Sequence, residues 1–135
     1  MNSSRIALIA AIAAAVSWTL KSVAIGTAGG LDKSPLEGPL FFAGLGTYIV
    51  ASVALGVAVA GSRPGWVRAA AGVVAATLGI AVVSVVGEVV NAMQAPTPLR
   101  HWAWTEVNLW VIAAGILTLS LVVRGRANAP GSTAP

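Results

Sequence analysis

Three ionisable side chains, Lys21, Glu88 and Glu106, stand inside otherwise apolar stretches of this 135-residue chain. A charge held at mid-bilayer costs on the order of 3 kcal/mol, so each of the three needs a partner or a task. Their neighbours fall on helical faces. Thr77, Ser84, Glu88 and Asn91 follow one another at steps of seven, four and three, which is one stripe down a helix. Trp102, Glu106 and Trp110 recur every four residues, as another single face. Glu37, Phe41, Tyr48 and Ser52 form a third, and Trp18 lies one turn before Lys21, whereas Ser22 and Thr27 are expected to point elsewhere. A polar stripe on a spanning helix is expected to face a bundle interior rather than lipid. Glu88 is the expected partner of Lys21. One lysine balances one carboxylate, so charge neutrality would leave a proton on the second. A protonated and an ionised carboxyl beside indoles would equip a general acid with cation-stabilising walls, or a proton-coupled transporter.

These residues define a candidate site. Glu88, Glu106 and Lys21 are its candidate catalytic groups. Trp18, Tyr48, Ser84, Asn91, Trp102, Trp110, Glu37 and His101 are its candidate substrate-binding groups. His101 is the one histidine and there are no cysteines, so neither a His-rich nor a thiolate metal site can be assembled, and no metal or cofactor is expected. A structural ion-pair network that sets helix register would account for the same residues.

The elements that must position them follow from composition. Hydrophobic residues make up 57% of the chain and charged residues 9%, with a mean hydropathy of +0.87. A soluble domain carries roughly 25% charged residues, so the chain reads as an integral membrane protein. Four apolar stretches, at about 6–28, 40–61, 67–91 and 103–123, each suit a helix crossing roughly 30 Å of hydrocarbon. No stretch shows the polar/apolar alternation of a barrel strand. The first stretch resembles a signal peptide up to Val16, but its apolar character continues to Ala28, and it is read as a retained helix.

Arg5, Arg63, Arg68, Arg124 and Arg126 collect at one end of the four spans, against Lys33 and Arg100 at the other. By the positive-inside rule both termini are cytoplasmic. The expected fold is an all-α, antiparallel bundle of four transmembrane helices over residues 1–126, N-in and C-in, followed by a disordered tail at 127–135. It is expected in a bacterial plasma membrane. On this reading Lys21, Glu88 and Glu106 share the outer half of the bilayer. The net charge of +4 sits mostly at span ends, so no nucleic-acid partner is expected. Gly26 with Gly30, Gly56 with Ala60, Gly72 with Ala76, and Ala75 with Gly79 give small-x-x-x-small spacings. These suit close helix packing or a homo-oligomer interface. Trp66, Trp102 and Trp104 mark membrane boundaries.

The segment Ser34-Pro35-Leu36-Glu37-Gly38-Pro39-Leu40-Phe41-Phe42 resembles the Pro-x-Glu-acid signature that opens a helix in membrane-embedded lycopene cyclase domains. Those domains cyclise a polyene by protonation. The resemblance implies an acid role for Glu37; Gly38 stands where that family has a second acid, and no Asp-Asn pair follows. Small multidrug transporters share the length and four-helix plan, but their helix 1 carries a glutamate where this one carries Lys21. The sequence is therefore read as a small intramembrane enzyme doing cofactor-free acid/base chemistry (isomerisation, cyclisation or epoxide opening) on a lipophilic small molecule. An accessory or scaffold subunit of a membrane complex and a small proton-coupled transporter are the alternatives. An enzyme requires an apolar chamber beside its acid, a transporter a path to both faces, and a subunit a wide exposed helix face.

Overall fold

The computed structural model describes residues 2–29, 33–93 and 101–128, with the side chains of 101–105 and 127 excepted. The described residues form four α-helices and no strand: α1 Ser3–Ala28, α2 Glu37–Ala60, α3 Gly65–Ala92 and α4 His101–Ala127. Each holds a stretch long and apolar enough to cross a membrane. The expected tail from residue 129 onward lies outside the described residues.

Local chemistry sets the ends. Asn2 caps α1 by accepting the Arg5 amide on Oδ1 at 2.9 Å, and Gly29 closes it at φ 91°, a left-handed conformation that costs glycine little. Gly61 (φ 64°) ends α2. Pro64 then precedes the first residue of α3, so the segment Gly61-Ser62-Arg63-Pro64-Gly65 stops one helix and starts the next within a tight turn. The helix α2 starts at Glu37, ahead of the expected span, with the carboxylate at the end where the helix dipole favours it.

The packing is a ring. The helix α1 lies against α2 and α4, and α3 lies against α2 and α4; α2 and α4 touch across the centre, whereas α1 and α3 do not meet. Three of the helices point a seam spaced alternately by four and three residues into this ring. In α1 it is Ala7, Ala11, Ala14, Trp18, Lys21 and Ile25. In α2 it is Gly44, Tyr48, Ala51 and Leu55. In α4 it is Glu106, Leu109, Ala113, Ile116 and Ser120. A mean spacing of 3.5 is that of left-handed, knobs-into-holes packing.

Small residues in the seams allow close approach. A Cβ on Gly44 would lie 2.2 Å from Trp18 Nε1, and one on Gly56 2.3 Å from the Ala71 carbonyl oxygen. A Cβ on Gly79 would lie 2.8 Å from Ser52 Oγ. The small-residue positions Gly56, Gly72 and Gly79 thus serve the α2–α3 contact within one chain.

The helix α3 is the exception to inward packing. Only Gly72 and Val90 of its residues are buried. In its most apolar window 11% of residues are buried, against 39% in α1. Between α3 and α4, with α2 as floor, runs an open apolar groove of about 590 Å³.

Candidate functional site

The buried polar centre lies between α1 and α4. Lys21 Nζ stands 2.5 Å from Glu106 Oε1, and both side chains are over nine-tenths buried. At 1.5 Å per residue, Lys21 lies about 24 Å along α1 from Arg5. Glu106 lies about 27 Å along α4 from Arg124. The two antiparallel helices therefore bring the charges to one level, toward the end of the bundle away from the arginines.

Ser22 completes the arrangement. Its Oγ is 3.2 Å from the Trp18 carbonyl oxygen and 3.4 Å from Glu106 Oε2. One hydroxyl proton serves both acceptors. The same oxygen accepts the Trp110 indole N–H at 3.0 Å, so a chain runs from Trp110 through Ser22 to Glu106. On the α2 side, Trp18 Nε1 donates to the Phe41 carbonyl at 3.2 Å. The Trp18 ring tilts against Tyr48 at 6.0 Å, and the Lys21 ammonium lies 5.8 Å from the Phe41 ring centre. Tyr48 donates to the Gly79 carbonyl at 2.9 Å, tying α2 to α3.

The structure revises three expectations. Lys21 pairs with Glu106, not Glu88, because α2 and α4 separate α1 from α3. Ser22 belongs to the site, because it lies four residues after Trp18 and turns toward α4. The α3 stripe does not face the interior. Thr77, Ser84, Glu88 and Asn91 are all exposed, since the line of α3 that fits against α2 and α4 runs through Gly72, Gly79, Val83 and Val90 on its other side. The Thr77 and Ser84 hydroxyls donate to their own helix, to the Val73 and Ile80 carbonyls at 2.9 and 3.2 Å. Among the described residues, the side chains of Glu88 and Asn91 find no hydrogen-bond or ion-pair partner.

Of the remaining candidates, Glu37 shares a cleft of about 450 Å³ with Lys21, Ser34, Gly38 and Phe41. The backbones of His101 and Trp102 open α4, and their side chains lie outside the described residues, as does Arg100. Among the described residues no group of three His, Asp or Glu side chains could hold a metal ion.

What this geometry can do follows from access. Glu106 is 2% exposed, behind Lys21, Ser22 and Trp110. Neither the α2–α3–α4 groove nor the Lys21 cleft has it in its wall. The pair joins the two helices at one register. No protein-family model, curated protein or solved structure matches the chain, so the functional reading rests on this geometry.

Proposed function

We propose that the protein is a structural or accessory subunit of a bacterial plasma membrane, N-in and C-in, whose ion pair fixes the bundle while α3 is offered to another membrane helix. The observation that carries this reading is the enclosure of Glu106. Its Oε1 is held by Lys21 at 2.5 Å and its Oε2 is approached by Ser22 at 3.4 Å. A general acid must reach its substrate within hydrogen-bond distance. Glu106 is instead spent on holding α4 to α1. The orientation rests on the five arginines at the inner end of the spans.

A second reading keeps acid/base chemistry on a lipophilic substrate. It is favoured by the cleft that Lys21 shares with Glu37, Ser34 and Phe41, in which Glu37 would be the acid and Lys21 its electrostatic neighbour. The transporter alternative has no comparable support, since the groove wall is almost wholly aliphatic.

A ligand screen separates the two readings. The purified protein in lipid nanodiscs is heated with isoprenoid, sterol-like and epoxide compounds. A specific ligand raises the unfolding midpoint by mass action. The subunit reading expects no compound to stabilise the wild type more than it stabilises Glu37→Gln. A compound that stabilises the wild type, is consumed by it, and is left intact by Glu37→Gln overturns it in favour of the enzyme.

A further inference from the structure

The groove between α3 and α4 has an apolar wall and a basic mouth. It runs from Val59, Ala71 and Val123 at the arginine end of the bundle to Val86 and Val111 toward the other. From Ala71 to Val86 is about 22 Å of helix. Spread over that length, its volume of about 590 Å³ is a cross-section of about 27 Å². A helix about 10 Å across needs about 80 Å², so the groove suits one hydrocarbon chain and not another helix. The two hydroxyls in its wall are engaged, Tyr48 donating to the Gly79 carbonyl and Ser52 to the Tyr48 carbonyl. We infer that the groove binds one acyl chain of an anionic phospholipid whose phosphate is held by Arg68 and Arg126. The inference goes beyond the subunit reading and needs no partner protein.

Arg68 and Arg126 extend the two walls. At about 100° per residue, Arg68 falls in line with Val86 around α3 and within about 20° of Ala75. Around α4, Arg126 falls within about 20° of Gly115 and Leu119. Each stands about 4.5 Å beyond the last lining residue of its helix, Ala71 or Val123. Arg68 is partly buried, and its Nε is enclosed without a hydrogen-bond partner among the described residues. A buried charged donor needs an acceptor. The sequence supplies no acidic side chain near either arginine. Its four acids are Asp32, Glu37, Glu88 and Glu106; the first two belong where α1 passes into α2, the others to the far ends of α3 and α4. Arg63 and Arg124, by contrast, reach protein oxygens, the Ala60 carbonyl at 3.4 Å and Ser4 Oγ at 3.5 Å. A lipid phosphate at the mouth offers acceptors to both remaining guanidiniums, and basic pockets between membrane helices favour anionic headgroups. The opposite end of the groove repels an anion. There α4 continues to Asn108, whose Oδ1 is a buried acceptor without a partner among the described residues, and Glu88 stands at the same end.

The test titrates lipid into the purified protein in a neutral detergent and follows the unfolding midpoint. Dioleoyl phosphatidylglycerol and dioleoyl phosphatidylcholine carry the same chains and differ in net headgroup charge. The wild type should respond to the phosphatidylglycerol at concentrations about tenfold lower than to the phosphatidylcholine. Arg68→Gln and Arg126→Gln should each weaken the phosphatidylglycerol response about fivefold. Arg5→Gln, which removes an exposed charge of α1 at the same end of the bundle, should leave it within about twofold. Gly115→Leu fills the groove, since a Cβ there meets nothing within 4 Å, and should weaken the response to both lipids. Arg126 is exposed and Gly115 has open space, so the test does not depend on Arg68→Gln folding. Equal responses to the two lipids, or Arg126→Gln behaving like Arg5→Gln, would overturn the headgroup assignment. An unchanged response in Gly115→Leu would remove the groove as the site. A photo-crosslinker at Leu119 that captures protein instead of lipid in native membranes would overturn the inference and leave the subunit reading standing.

Discussion

Replacing Lys21 by methionine removes one half of the α1–α4 ion pair and leaves Glu106, 2% exposed in the native bundle, with Ser22 Oγ at 3.4 Å as its remaining side-chain partner among the described residues. Removing one partner of a buried pair typically costs about 3–5 kcal/mol, because the other charge is left uncompensated. The reverse change, Glu106→Gln, should cost less, about 1–3 kcal/mol. Lys21 borders a cleft that also holds Glu37 and Ser34, and its long stem can carry the ammonium that way, whereas the shorter Glu106 side chain does not line that cleft. The double variant Lys21→Met/Glu106→Gln removes both charges and should regain about 2–3 kcal/mol over Lys21→Met alone. Lys21→Met/Glu88→Gln is the control. Because α1 and α3 do not touch, its losses should add to within about 0.5 kcal/mol. The assay is reversible unfolding in mixed micelles, following tryptophan fluorescence against denaturing detergent. A double variant no more stable than Lys21→Met, or a rescue by Glu88→Gln instead, would refute the reasoning.

Two further outcomes check the fold and its placement. Gly44→Ala should cost about 3 kcal/mol or abolish folded yield, since its Cβ would sit 2.2 Å from the Trp18 indole nitrogen. Gly46→Ala, with open space around it, should stabilise by up to about 1 kcal/mol through helix propensity; equal effects would place Trp18 elsewhere. Single cysteines at Ser34 and Ser62 should label with an impermeant thiol reagent only from outside and only from inside the cell, respectively. The opposite pattern would invert the topology.

The sequence alone determined the four helices and much of the site's content. A chain this apolar can satisfy its backbone in lipid only within helices or a closed barrel, and the missing alternation removed the barrel. Glycine and proline at 61 and 64 marked the tight turn, because their backbone preferences act locally. Antiparallel order also put Lys21 and Glu106 at one level. Which carboxylate met Lys21 was decided by tertiary structure. Level along an axis can be read from residue counts, but neighbourhood around a ring cannot, and α1 turned out to lie beside α4 and diagonally across from α3. The same limit explains α3. Its polar spacing identified one face without saying whether that face looks inward, and the close approach required by Gly56, Gly72 and Gly79 turned the opposite face to the bundle. Ser22 was missed for a related reason. At about 100° per residue Lys21 lies about 60° to one side of Trp18 and Ser22 about 40° to the other, so both flank one inward seam, and only the position of α4 showed that Ser22 shares the task of Lys21.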